Sequence, residues 1–247
     1  MIDETQSILE DTYKISLNDA ANLILAFLKE PALKELAISE AIGGTVSRSA
    51  IEKHYLLFKG CMGWYCRNLT GDTAFPKLFM AFEDGEYEVA KVPSSPKTEK
   101  LTCPENTFVY RRNHDLESIK EMLLVDVHNP VVDKEITRSQ VNQFTNLLPL
   151  DNAKKKYNVF PCSFFENRVN QDMDAFFANR NVHGVRYYFG YDNSATHQES
   201  NRIRVIFVGV DQAGRNILSA DEPDTKRAQL LQNSWPPPPP PYTEQIA

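Results

Sequence analysis

Four residues in the C-terminal third have the type and spacing to hold an anion. Arg186, Tyr188, Arg202 and Arg204 fall in two stretches, Gly184–Tyr191 and Arg202–Val210, that alternate as β-strands do. Side chains two apart on a strand share a face. Paired antiparallel, the two strands would bring three guanidinium forks and a phenol onto one surface, a geometry that grips carboxylate or phosphate. The competing reading makes them the wetted side of a sheet, where long basic side chains protect an edge. That second reading carries more weight, because nothing else in the sequence converges on the four.

The remaining reactive residues are dispersed. His54, His114, His128, His183 and His197 are spread over the chain, and no two stand four apart as helix-borne metal ligands would. Asp126 and His128, with the distant His183 and Asp211, are the one metal grouping to weigh, and isolated surface histidines outweigh it. Cys61, Cys66, Cys103 and Cys162 contain no C-x-x-C, so idle thiols in a reducing compartment are expected rather than a disulfide framework. There is no P-loop, no G-x-G-x-x-G and no G-x-S-x-G elbow. A Cys–His nucleophilic pair has no local signature. The sequence assigns no catalytic residue, no metal ligand and no cofactor.

Composition bounds the partners. The 247 residues are 42% hydrophobic and 24% charged, ordinary values for a chain with a real core. A net charge of −6 argues against a general nucleic-acid binder, and Lys154-Lys155-Lys156 reads as a solvated helix face. No apolar run approaches the roughly 20 residues that span a bilayer, and the acidic N-terminus lacks the order of a signal peptide. A soluble, cytoplasmic protein is expected, without nucleic acid or membrane as partner; leaderless export would leave no mark.

Helices and strands both have to be present to carry these residues. Ile15, Ser16 and Asp19 write a helix start: staple, cap and return acceptor. Leu17, Ala20, Ala21, Ile24, Phe27 and Leu28 follow at helical spacing, closed by Pro31. A second helix is expected over 31–41, ending at Gly43-Gly44, and a third over 47–58. Lys77–Phe82 and Tyr87–Ala90 read as a strand pair about Asp84-Gly85. Residues 92–107 read as a loop and 108–110 as a short strand. Leu116, Ile119, Met122 and Leu123 mark a helix from Asp115. Ile136, Thr137 and Gln140 repeat the opening helix start, with Val141, Phe144, Leu147 and Leu148 as its stripe. Ser163 and Glu166 form another capping box, ahead of Val169, Met173, Phe176 and Phe177. In the last block Ile203, Val205 and Phe207 point inward, Asp211–Gly214 reverses the chain, and Arg215–Leu218 returns antiparallel.

The fold class is therefore α+β: two helix-plus-antiparallel-sheet halves, an N-terminal module over 1–130 and a C-terminal module over 131–220, with a proline-rich tail over 221–247. Helices followed by a hairpin occur in both halves, and Phe82–Gly85 falls where Tyr191–Asn193 falls in the second. A divergent tandem duplication is one reading of this recurrence; chance similarity of common capping boxes is the other.

The run G-V-R-Y-Y-F-G at Gly184–Gly190, followed by V-G-V-D-x-x-G-x-x-I at Val208–Ile217, resembles an uncharacterised family of bacterial domains with a G-[IV]-R-x-Y-x-G and V-G-V-D-x-x-G pattern. The resemblance covers residues 136–241 and implies a related fold, with no activity and no catalytic residue to carry over; the first half lacks the Gly-x-Arg. The tail supplies Trp235, six prolines (Pro236, Pro237, Pro238, Pro239, Pro240 and Pro241) and Tyr242. Such a rod holds a polyproline II conformation without internal hydrogen bonds and offers aromatic anchors at its ends; a spacer or a strap over its own domain is the commoner use. The expected function is a non-enzymatic interaction or structural module, with the tail as docking element or strap and a protein partner or self-association. The alternative is a small anionic ligand-binding protein or enzyme, with its site on the C-terminal sheet or between the halves.

Overall fold

Ser16 starts helix α1 (Leu17–Lys29). Its Oγ accepts the Asp19 N–H at 3.0 Å and donates to the Asp19 carboxylate at 2.8 Å. The six apolar residues of the predicted stripe are all buried. The computed structural model describes residues 15–31, 41–52, 60–67, 78–83, 96–110, 113–125, 131–141, 162–166, 177–192, 202–218 and 230–232. Its other elements are helix α2 (Leu116–Val125) and strands β1 (Ala41–Ser47), β2 (Gly60–Arg67), β3 (Leu78–Glu83), β4 (Lys100–Pro104), β5 (Thr107–Val109), β6 (Asp133–Thr137), β7 (Cys162–Glu166), β8 (Gly184–Asp192), β9 (Arg202–Val210) and β10 (Leu230–Gln232). Residues 48–52 and 138–141 are helical and follow β1 and β6 directly.

The class is α+β, as the sequence predicts. Sheet A has the order β10-β9-β8-β1-β5 and sheet B the order β6-β4-β3-β2-β7. The sheets do not follow the division of the chain at residue 130. β1 and β5 precede that point and lie in sheet A with β8 to β10; β6 and β7 follow it and lie in sheet B with β2 to β4.

The two sheets share one layout. The orders β4-β3-β2-β7 and β10-β9-β8-β1 each consist of a three-strand meander from one side of the chain, ended by a strand from the other. The registers agree residue by residue. Gly60 faces Glu166 where Gly184 faces Ser47; Gly63 faces Phe82 where Tyr187 faces Phe207; Tyr65 faces Met80 where Phe189 faces Val205; Arg67 faces Leu78 where Tyr191 faces Ile203. Phe82 thus stands where Phe207 stands, which corrects the expected match with Tyr191.

The matched residues also bury the same way. Tyr65, Leu78, Met80 and Phe82 meet Phe189, Ile203, Val205 and Phe207 in one core between the sheets, and the Tyr65 and Phe189 rings lie 6.0 Å apart. Ile203, Val205 and Phe207 point inward as predicted. The outer face of sheet A, with Ile42, Tyr188, Ile206 and Val208, is covered by α1 and α2. At Gly190 the helix comes so close that a Cβ would stand 2.8 Å from the Leu23 Cβ. On the outer face of sheet B, Trp64, Cys66, Ala81, Leu101 and Cys103 pack with Ile136 and Val141.

Several expectations are corrected. Gly43-Gly44 does not end a helix; both lie inside β1, which strands through 41–47. The physical reason is Tyr187: its ring crosses Gly44, where a Cβ would sit 2.7 Å from its hydroxyl, and the hydroxyl accepts the Met80 N–H of the other sheet at 3.0 Å. Only a residue without a side chain leaves that path open. Ser163 and Glu166 lie in β7 rather than in a cap, because this segment completes the ladder of β2. β4 lies inside the expected loop 92–107, where the alternation of Leu101 and Cys103, both buried, outweighs the surrounding Pro, Ser and Thr. Other helix starts hold: the Asp115 carboxylate accepts the Ser118 N–H at 2.8 Å, and the Gln140 side chain accepts the Thr137 N–H at 2.7 Å. The segments 32–40, 53–58, 87–90, 142–148 and 169–176 lie outside the described residues.

Candidate functional site

Arg186 lies on the outer face of sheet A, beneath the helices and fully buried. Its Nε donates to Thr45 Oγ1 at 3.0 Å, one terminal nitrogen to Asn216 Oδ1 at 2.5 Å, and the other to the Gly214 carbonyl at 2.8 Å. The guanidinium stands 5.7 Å over the Phe108 ring. Asn216 extends the network, its Nδ2 donating to the Leu123 carbonyl at 2.8 Å and to the Tyr188 hydroxyl at 3.0 Å. A buried guanidinium costs several kcal/mol unless hydrogen bonds replace its water. Here they tie β1, β8, the C-terminal turn of α2 and the reversal after β9 into one unit.

The four predicted anion-binding residues do not form a surface. Arg186 faces Val208 in the ladder and Arg204 faces Gly190, about 13 Å apart at ~3.3 Å per residue. Arg204 instead pairs with Asp192 at 3.1 Å, both side chains largely buried. Tyr188 is buried and its ring packs edge-on against Phe108. Arg202 faces Asp192 in the ladder, and its side chain lies outside the described residues. The wetted-edge reading is corrected as well, because β8 is buried along its whole length. Alternation gave the faces correctly, but which face receives the helices depends on α1, more than 150 residues earlier in the chain.

The two short motifs of the C-terminal block prove to be one construction. Asp211 Oδ1 accepts the N–H groups of Ala213 and Arg215 at 2.8 and 2.9 Å, and Gly214, with φ 79°, donates to the Asp211 carbonyl at 3.0 Å. These backbone hydrogen bonds, Arg215 N–H foremost, hold the Asp211 carboxyl below its usual range. The returning chain closes on Gly209 through the Ile217 N–H at 2.8 Å. Arg186 of the first motif then clasps Gly214 and Asn216 of the second. Sequence reasoning missed Thr45 and Asn216; the conjunction of a mid-strand Arg and a D-x-x-G-x-N turn was the available signal for Asn216, and nothing local marked Thr45.

Beside this turn lies an open groove of about 950 Å³, lined by Asn181, His183, Asp211, Arg215 and Asn216 together with Leu124 and Ile217. Arg215 is mostly exposed and pairs with Asp211 at 2.7 Å. The tail residues Trp235 to Tyr242 lie outside the described residues.

Sheet B fastens the equivalent connection with the opposite charge. Glu83, buried at the end of β3, accepts the Trp64 indole N–H at 2.8 Å, the Thr98 N–H at 2.8 Å and the Lys97 N–H. Trp64 stands where Tyr188 stands in sheet A, each an outer-face aromatic with its polar tip in the fastening network. Burial pushes the Glu83 carboxyl up, against the pull of these donors. Burial also raises the Cys66 thiol, and raises Cys103 to about 12, so both stay protonated at neutral pH. Among the described residues no three His, Cys, Asp or Glu gather as a metal would require.

Two outcomes follow. Replacing Arg186 by Met, the residue at the matching position 62, orphans the acceptors at Thr45, Asn216 and Gly214. Each buried orphan costs about 1–3 kcal/mol, so denaturant melts should show a loss at or above that range; a loss below about 1 kcal/mol would refute the role. For Glu83 the folded pKa lies above the ordinary 4.5, so its contribution to stability is full below that value and is lost as pH rises through the folded one. The stability advantage of the native chain over Glu83→Gln should therefore shrink from pH 4.5 toward neutrality, and an advantage that grows with pH would contradict it.

No protein-family model matches the chain, and neither the curated proteins nor the solved structures give a match to it.

Proposed function

We propose that the protein is a non-enzymatic binding module, with its proline-rich tail as docking element or strap. The observation that carries this reading is β10. Leu230–Gln232 pairs with Ile206–Val208 as a short edge strand, and Pro236 follows four residues after Gln232. A polyproline rod rooted at a sheet edge has a fixed point of departure, which limits the ordering entropy of its docking. The commitment of Arg186, Tyr188 and Arg204 to internal contacts also favours a structural role for these residues. The matching layout and register of the two sheets support a divergent tandem duplication. Light scattering, thermal melts and partner pull-downs on the intact chain and on a chain ending at Ser234 test the tail: removal of a docking tail lowers the associated mass or the captured partner, removal of a strap lowers Tm, and identical mass, capture and Tm would overturn both.

The groove beside the Asp211 turn favours a second reading, a site for a small polar or anionic ligand. Arg215 and His183 both line it. At a hundredfold excess over Kd, a ligand that binds only the native state adds ~2.7 kcal/mol. A thermal-shift screen against anionic metabolites should then give a hit that Arg215→Ala abolishes; a hit unaffected by that change would place the ligand elsewhere.

A further inference from the structure

The chain passes from one side to the other once, between Val125 and Asp133, yet each sheet is built from both sides. Gly43–Ser47 pairs with Gly184–Tyr188, Gly60–Trp64 with Cys162–Glu166, and Lys100–Pro104 with Asp133–Thr137. The Arg186–Thr45 bond, the Tyr187–Met80 bond and the Tyr65–Phe189 contact cross the same boundary. None of these contacts depends on the two sides sharing one polypeptide.

We propose that this reciprocal exchange is also an interface between molecules, in which a second copy of the chain supplies its residues 133–232 to residues 15–125 of the first and receives the same in return. The swapped dimer retains every ladder and the whole core, including the Glu105 N–H to Val132 carbonyl bond; only the path between Val125 and Val131 differs. The single chain is favoured by the effective concentration that covalent linkage of its two sides confers. Domain swapping is a low-cost route to dimers under such conditions. Return to the monomer requires three ladders to break, so a dimer formed during folding is held kinetically. The inference rests on strand order and needs neither the tail nor a common origin of the two sheets.

Cross-linking distinguishes the two arrangements. Val46 and Val185 are register partners from opposite sides of the boundary, and partners in a ladder have Cβ atoms within disulfide reach. One chain carries Val46→Cys and a second carries Val185→Cys, both near-isosteric changes. Refolded together from denaturant and then oxidised, they should yield a covalent heterodimer whose ratio to monomer rises about tenfold for a tenfold rise in concentration, as mass action requires. A single chain with both changes is the control for folding and geometry, since it closes the bond internally. If that control closes while the mixture gives no cross-link at any concentration, the proposal fails. Should the control not close, native Cys61 against Phe165→Cys, register partners in the β2–β7 ladder, replaces the pair. The two chains are then Phe165→Cys combined with Cys61→Ser, and the native sequence, read by the same criterion. Chains ending at Ser234 should cross-link equally, which separates exchange from any association through the tail.

Discussion

The ladder between β1 and β8 is the constraint on which the rest of the molecule depends. It joins the earliest strand to the longest pair in the fold and sets Thr45 beside Arg186. It also draws Gly44 beneath the Tyr187 ring, so that the tyrosine hydroxyl can reach Met80 in the other sheet. Helix α1, just ahead of β1, comes to rest on the outer face of sheet A against Gly190. Without that one register the guanidinium loses an acceptor, the sheets lose a polar tie between them, and the helices lose the face that they cover.

Each sheet fastens the connection leaving its second meander strand with a buried charge. In sheet A the charge is Arg186 and in sheet B it is Glu83, each met by neutral partners. Buried charges held this way contribute less to stability than to the choice of one arrangement, because any displaced register would leave them without compensation. Two different chemistries thus meet the same geometric demand.

Much of the local structure was legible in the residues. Ser16 with Asp19 and Thr137 with Gln140 make the predicted caps, and a helix starts at Asp115 as expected, because a cap is decided within a single turn. The Asp211–Gly214 reversal and the inward set Ile203, Val205 and Phe207 were equally local. β1 and β7 were not legible: Gly43-Gly44 has the composition of a breaker, and Ser163 with Glu166 has the spacing of a cap. Both segments are strands because partners far along the chain present open ladders to them, and no local window contains that fact. The candidate site failed for the same reason. Pairing was read correctly, but the cover over the outer face comes from elements that period and propensity leave unplaced.

The separation of partners along the chain has a consequence for biosynthesis. Thr45 and Arg186, bonded in the finished molecule, are 141 positions apart. At roughly 5–20 residues per second, the ribosome delivers the neighbour of β1 on the order of ten seconds after β1 itself. During that interval the side of α1 that packs on β8 and the β8-facing edge of β1 lack their partner, a period in which a nascent chain depends on chaperones.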